Sequence, residues 1–295
     1  METIVKNLFA SICFLFVCTS PAFSQGKTDL KVFISVDMEG ITGVVNWEDV
    51  NRDGKDYEYF REIMTKEANA AIEGALAAGA TEILVRDSHS TARNLLPEML
   101  NRNAKLLRDW SGGFKSMMEG IDKTFDAVIF IGYHAKAGTP NAILEHTMSS
   151  TNITDVSING ISLPEAGINA LIAGYYNVPV VFIAGELAVC QQAKKLIGEI
   201  ETVAVKEGIG NAALNLHPEV AREKIAEGVK KALLNLRKYK PYKLKPPYKL
   251  VLKLKNEELV HEKSFYPGAK RTGDWELTYE NRDLMEVMKA FNRMH

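Results

Sequence analysis

The stretch VFISVDMEG, residues 32–40, is an apolar run that ends in two carboxylates, Asp37 and Glu39, just before a glycine. At i and i+2 of an extended chain the two side chains project to the same side. Carboxylates held together between apolar walls repel each other, and one takes up a proton unless positive charge arrives. A divalent cation supplies that charge. Three further apolar runs also end in reactive residues: EILVR (82–86) leads into Asp87 and His89, AVIFIGY (127–133) into His134, and VPVVFIAG (178–185) into Glu186. The carboxylates alone would suit magnesium or calcium, but an imidazole such as His134 moves the preference toward zinc, cobalt or manganese. AILEHTM adds Glu145 and His146, and SLPEAG adds Glu165 at the start of a helical pattern, where a carboxylate also favours the helix dipole. Any one of these carboxylates could simply cap a helix. Four strand ends of the same kind point to a shared site.

Such a site needs elements that bring the strand ends together. In YEYFREIMTKEANAAIEGALAAG (57–79), Phe60, Met64, Ala68, Ala71, Ala75 and Ala78 recur at three- and four-residue spacing, which predicts a helix. PEAGINALIAGYY (164–176) predicts another, with Pro164 where a helix tolerates it best. Near-continuous apolar strands alternating with helices predict an α/β fold, a mainly parallel sheet with helices on both faces. In such a sheet the carboxyl ends of the strands border the crevice where ligands bind. The α/β core is expected over residues 30–235. A smaller β-containing C-terminal extension, 236–295, is expected to pack on it, since VLKLK and WELTY alternate with period two. That extension would trim the site entrance or make subunit contacts.

Several function classes are disfavoured. The net charge of -1, from 36 basic and 37 acidic residues, does not suit a chain that must neutralise nucleic-acid phosphates. The Lys-rich run at 237–255 reads as a proline-punctuated connection entering a strand. DMEGITG matches neither the dinucleotide fingerprint nor the lysine-bearing phosphate loop, and there is no G-x-S-x-G elbow. Ser88, between Asp87 and His89, makes no triad, because neighbours on an extended strand point to opposite faces. The same alternation turns His89 away and predicts a supporting or structural role for it. His217, His261 and His295 lie away from the strand ends and are expected to be surface or packing histidines.

Residues 1–24 read as a secretory signal, with Lys6 near the start, an apolar stretch from Leu8 to Cys18 and a small-residue cleavage site after Ser24. The apolar stretch is shorter than the roughly 20 residues of a bilayer crossing. An exported protein, periplasmic or secreted, without stable membrane insertion after cleavage, is expected. Cys13 and Cys18 lie in that signal, so Cys190 alone remains and no internal disulfide forms. A chain of about 270 residues buries enough core to do without one.

The segments SVDMEGITG, VRDSHS, IGYHAKAGTP, EHTM and LPEAGINALIAGYYNVPVVFIAG, in this order, resemble the successive signatures of the zinc-dependent D-aminopeptidases. The resemblance runs from about Lys31 to Lys206 and more diffusely to the C terminus. It implies that Asp37, Glu39, Asp87, His134 and Glu165 ligate two zinc ions per subunit and that His146 is the catalytic histidine. Four carboxylates would then balance the charge of two Zn²⁺ with His134 neutral. It further implies hydrolysis of short peptides bearing an N-terminal D-amino acid such as D-alanine. A ring-like homo-oligomer, a decamer, enclosing its active sites is implied as well.

In that reading a hydroxide shared by the two metals attacks the first peptide carbonyl, and His146 orients the water or carries its proton to the leaving amine. A nucleophilic part for His146 is the alternative. Two other classes stay open: a dinuclear-metal amidohydrolase or phosphoesterase of other specificity, and a metal-dependent binding protein without turnover. Glu186, in GEL, and the glycines of WSGG (110–113) stand where the resemblance would put aspartates. These departures bear on substrate preference. D selectivity itself rests on the resemblance alone.

Overall fold

The computed structural model describes residues 29–295. The expected signal, with Cys13 and Cys18, lies outside the described residues. The strands in chain order are β1 (Leu30–Val36), β2 (Ala80–Asp87), β3 (Lys105–Leu107), β4 (Ala127–Tyr133), β5 (Ile153–Ile158), β6 (Ile161–Ser162), β7 (Val180–Glu186), β8 (Glu201–Ile209), β9 (Ala212–Asn215), β10 (Tyr248–Leu254), β11 (Lys270–Gly273) and β12 (Glu276–Asn281). The helices are α1 (Trp47–Val50), α2 (Tyr57–Ala77), α3 (Glu165–Tyr175), α4 (Leu187–Ile197), α5 (Pro218–Leu234), α6 (Glu257–Lys263) and α7 (Leu284–Met294). Both helices expected from sequence form, α2 and α3, and Pro164 stands at the N-cap of α3.

The main sheet has the order β3-β2-β1-β4-β7-β8-β9 and is parallel except for the β8–β9 pair. This is the expected α/β class. Every residue of β4 and β7 is buried, as parallel strands covered on both faces require. On β1 the even positions Val32, Ile34 and Val36 pack into the core formed with α2 and α5. Phe33 faces the opposite core, which holds α3 and α7. Ser35 lies on that same odd-numbered side, and Asp37 and Glu39 follow just past the end of the strand.

A second sheet, β11-β12-β10-β5-β6, is antiparallel and closes over this second core. It is not built from the C-terminal segment alone. β10 pairs with β5, setting Leu252 beside Val156 and Leu250 beside Ile158. One apolar cluster joins these residues to α3 and to Phe33 and Phe130 of the main sheet. A hydrophobic core thus runs across the expected 235/236 boundary. The Lys-rich connection leads into β10, as its prolines and alternation indicated.

Candidate metal centre

The chain beyond β1 stays beside β4: the Asp37 amide donates to the Ile131 carbonyl at 2.8 Å and the Gly40 amide to the Gly132 carbonyl at 2.7 Å. Two glycines permit this approach. A Cβ on Gly40 would lie 1.9 Å from the Tyr133 carbonyl oxygen. At Gly132, with φ +72, it would lie 2.2 Å from the Asp37 carbonyl oxygen. Below them Ser35 Oγ hydrogen-bonds Ser88 Oγ at 2.7 Å and Tyr133 Oη at 2.8 Å, and Asn169 donates to Tyr133 Oη at 3.0 Å. Ser88 is therefore part of a buried floor and is not a free nucleophile.

On this floor six side chains meet. His134 Nε2 lies 3.6 Å from Asp37 Oδ2 and 3.4 Å from Glu165 Oε2. His89 Nδ1 lies 3.0 Å from Glu39 Oε2 and 3.4 Å from Asp37 Oδ1. His146 Nε2 lies 3.6 Å from Glu165 Oε1 and 3.9 Å from Glu39 Oε1. Each imidazole is fixed from behind by a carbonyl: Ala135 takes the Nδ1–H of His134 at 2.9 Å, Leu144 that of His146 at 2.8 Å, and Val50 the Nε2–H of His89 at 2.9 Å. The opposite nitrogen of each ring then presents a lone pair to the carboxylates.

Lone pairs aimed at carboxylate oxygens repel unless a cation lies between them. Asp37 Oδ2 and His134 Nε2 are buried with no hydrogen-bond partner. The ligand atoms also gather within 4.8 Å of one another as Asp37, Glu39 and His89, as Asp37, His134 and Glu165, and as Glu39, His134 and His146. Carboxylate oxygens and imidazole nitrogens together form the donor set of zinc. These residues fit a metal centre, and Asp37 belongs to two of its groups.

The electrostatics tell the same story in protons. Burial and Glu39 push the Asp37 carboxyl well above the usual range. Burial opposes ionisation of Glu39 and Glu165 too, yet His89 holds Glu39 well below its ordinary value and His134 holds Glu165 down to about 2. His89 and His134 rise well above ordinary imidazole because carboxylates outweigh burial. Protons here do part of what a cation would do, so metal and acid compete for the site. His146 differs: burial and the neighbouring His134 lower its pKa, which keeps it neutral. Its ring stacks on His134 at 4.0 Å between centroids, inclined by 11°.

Of the expected ligands, Asp37, Glu39, His134 and Glu165 come together, and Asp87 does not. Both Asp87 oxygens are occupied, by the Asn94 amide at 2.6 Å, the Leu95 amide at 2.7 Å and Asn94 Nδ2 at 2.8 Å. Asp87 holds the turn after β2, and that turn presents His89 in its place. The alternation argument fails for His89 because the strand ends at Asp87. Beyond it Ser90 and Ala92 take left-handed conformations, φ 45 and φ 52, and redirect the chain. The one available signal was the Asp-Ser-His sequence at a strand end with Asn94 downstream. Glu145 joins none of the ligand groups. Glu186 accepts from the Ala135 amide and the Ile143 amide, both at 2.7 Å, and so braces the loop leading to His146.

The group opens into a cleft of about 420 Å³ walled by Trp47, Trp110, Met117 and, unexpectedly, His295. Tertiary packing alone brings His295 there, at the end of α7. His217 caps α5, accepting from the Glu219 amide, and His261 is exposed on α6, as surface histidines should be.

Comparison with known proteins agrees with this picture. A family model described as D-aminopeptidase matches residues 30–293. A D-aminopeptidase of Bacillus subtilis (strain 168) is 39% identical over 267 residues, spanning 88% of this chain and 95% of the relative. Among solved structures, the Zn-dependent D-aminopeptidase DppA from Bacillus subtilis, described as a self-compartmentalizing protease, superposes with a TM-score of 0.86. It is 36% identical, over 90% of this chain and 96% of that one.

Proposed function

The chain belongs to the D-aminopeptidase family, and we propose that it is a zinc-dependent hydrolase that removes N-terminal D-amino acids, D-alanine among them, from short peptides. The observation that carries this reading is the buried pair Asp37 Oδ2 and His134 Nε2. They lack hydrogen-bond partners in a group of carboxylates and imidazoles, in a chain similar to a Zn-dependent enzyme.

We assign two zinc ions per subunit, which Asp37, Glu39, His89, His134 and Glu165 would hold. His89 takes the place that the resemblance gave to Asp87. Bound zinc supplies Lewis-acid polarisation of the scissile carbonyl and a nucleophile at neutral pH. The protein groups do the remaining work. The carbonyls of Ala135 and Val50 lock His134 and His89 in the tautomers that leave Nε2 and Nδ1 free for metal. His146, held by the Leu144 carbonyl, keeps Nε2 unprotonated, accepts a proton there and returns it to the leaving amine. Leu144 has a left-handed backbone, φ 55, and this strained turn aims its carbonyl at His146.

The assembly follows the solved relative, whose description as self-compartmentalizing supports a homo-oligomer for this chain. We extend this to a ring, a decamer, enclosing its active sites. Ile209 and Leu214, each 66% exposed on the strands of the β8–β9 hairpin, provide apolar surface for subunit contact. Export to the periplasm or medium rests on the character of residues 1–24. Cell-wall fragments or environmental peptides would then be within reach.

The test is release of alanine from matched D-alanyl and L-alanyl peptides. Zinc-dependent release confined to the D series supports the reading. Release from the L series alone would retain the metallopeptidase and discard the D selectivity.

A further inference from the structure

One wall of the cleft is built by the end of α7 and the loop at 110–117. α7 is fixed in place, because Leu284, Val287, Met288, Phe291 and Met294 are buried in the core beneath the second sheet. Asn292 Nδ2 donates to the Gly113 carbonyl at 3.0 Å and ties the helix to the loop. On that loop Trp110 donates its indole N–H to the Ser90 carbonyl at 2.7 Å, and the Arg86 guanidinium lies 4.6 Å from its ring centroid. The wall is therefore tied to the body of the fold at both the helix and the WSGG segment.

His295 is the polar point on it. Its Nδ1–H donates to the Phe291 carbonyl at 2.8 Å, and its ring lies against Phe291 with centroids 4.6 Å apart. That hydrogen bond fixes the tautomer and leaves Nε2 as an acceptor. Burial lowers the imidazole pKa, so the acceptor form prevails at neutral pH. Nε2 has no protein hydrogen bond among the described residues, and the side chain lines the same cleft as His146 and Glu165. A held, neutral acceptor facing a substrate cleft matches a substrate that brings N–H donors, and a peptide brings them at its amino terminus and along its main chain.

We propose that His295 is a substrate-binding residue of the cleft, its Nε2 accepting a hydrogen bond from an N–H group of the peptide. The inference rests on the peptidase reading for the identity of the ligand. It adds a contact made from the end of the C-terminal helix, remote in sequence from the residues of the metal group.

The experiment compares the wild-type protein with His295→Leu, which keeps the packing on Phe291, and His295→Gln, which keeps an acceptor. With D-alanyl amides His295→Leu should raise KM by about tenfold while kcat stays within about twofold, the size of one lost hydrogen bond. Zinc content and Tm should stay at wild-type values, and His295→Gln should recover part of the loss. A D-alanyl ester separates the donors: an equal KM rise identifies the amino-terminal group, and a rise confined to amides identifies the leaving-group N–H. A second readout needs no turnover: in the zinc-loaded His146→Ala protein, a D-alanyl peptide should shift the His295 imidazole nitrogen resonance.

An unchanged KM in His295→Leu, a loss of kcat together with zinc, or a silent resonance would overturn the proposal. If the peptide shifts the resonance while the wild-type protein releases no D-alanine, the peptidase reading fails and the binding role of His295 stands.

Discussion

Asp37 Oδ2 and His134 Nε2 face each other at 3.6 Å, both buried and both without a hydrogen-bond partner. Each sits where the opposite ends of its group are satisfied: Asp37 Oδ1 accepts from the Met38 amide at 2.9 Å, and His134 Nδ1–H donates to the Ala135 carbonyl. Buried polar atoms of this kind are costly unless something pairs with them. A cation between them resolves the cost and explains why β1 and β4, adjacent strands, both end in ligand-type residues. Asp37→Asn and His134→Ala should each bind less zinc at equilibrium dialysis. Each should also lose well over about 100-fold in kcat/KM, since even supporting residues of metal sites are worth that much.

His89 and Asp87 separate ligand from scaffold. His89→Ala should lower zinc content with little change in the cooperativity of unfolding, because its ring contacts carboxylates and one carbonyl at the site. Asp87→Ala strips three hydrogen bonds from the turn at 87–95 and should lower stability by about 3 kcal/mol, read by denaturant unfolding of the metal-free protein. If instead Asp87→Ala loses zinc while His89→Ala keeps it, the assignment is reversed.

His146 should be needed for turnover and dispensable for the metal. His146→Ala should retain zinc and lose about 10²- to 10⁴-fold in kcat, the range of a positioned acid–base group. Its pKa lies below the ordinary imidazole value, so the base form persists to lower pH. The acid limb of the wild-type pH–rate profile should accordingly fall below the usual histidine range and vanish in the variant.

Behind the site Lys206 is buried and donates to the carbonyls of Glu39, Ile41 and Val44, and the Thr42 amide donates to Glu67 Oε1 at 3.0 Å. Burial raises the Glu67 carboxyl from 4.5 to about 7, against the opposing effects of Thr42 and Lys206. A group whose folded pKa is raised contributes stability that is complete below the unfolded value and lost as pH rises through the folded one. The wild-type protein should therefore lose stability relative to Glu67→Gln between pH 4.5 and about 7. The full difference should be about 3 kcal/mol, read by urea unfolding at several pH values. A constant difference across that window would contradict the burial argument.

Much of this site was legible in the sequence because apolar runs mark where buried strands end. They located Asp37 and Glu39 just past β1, His134 just past β4 and Glu186 at the end of β7. The alternation rule failed two residues past the end of β2, where the strand is over and His89, not Asp87, reaches the carboxylates before the chain turns at Ser90 and Ala92. His295 gave no local signal, since only the packing of α7 under the second sheet carries it to the cleft. The pairing of β10 with β5 was equally hidden, because the alternation of a strand does not encode which distant strand will pair with it.

The most direct measurement is a zinc titration of the metal-free protein with D-alanine release from a D-alanyl peptide as the readout. Turnover should be absent without metal, rise with added zinc and level off at two equivalents per subunit. Full turnover without metal, or two bound zinc ions with no release from the D series, would contradict the account.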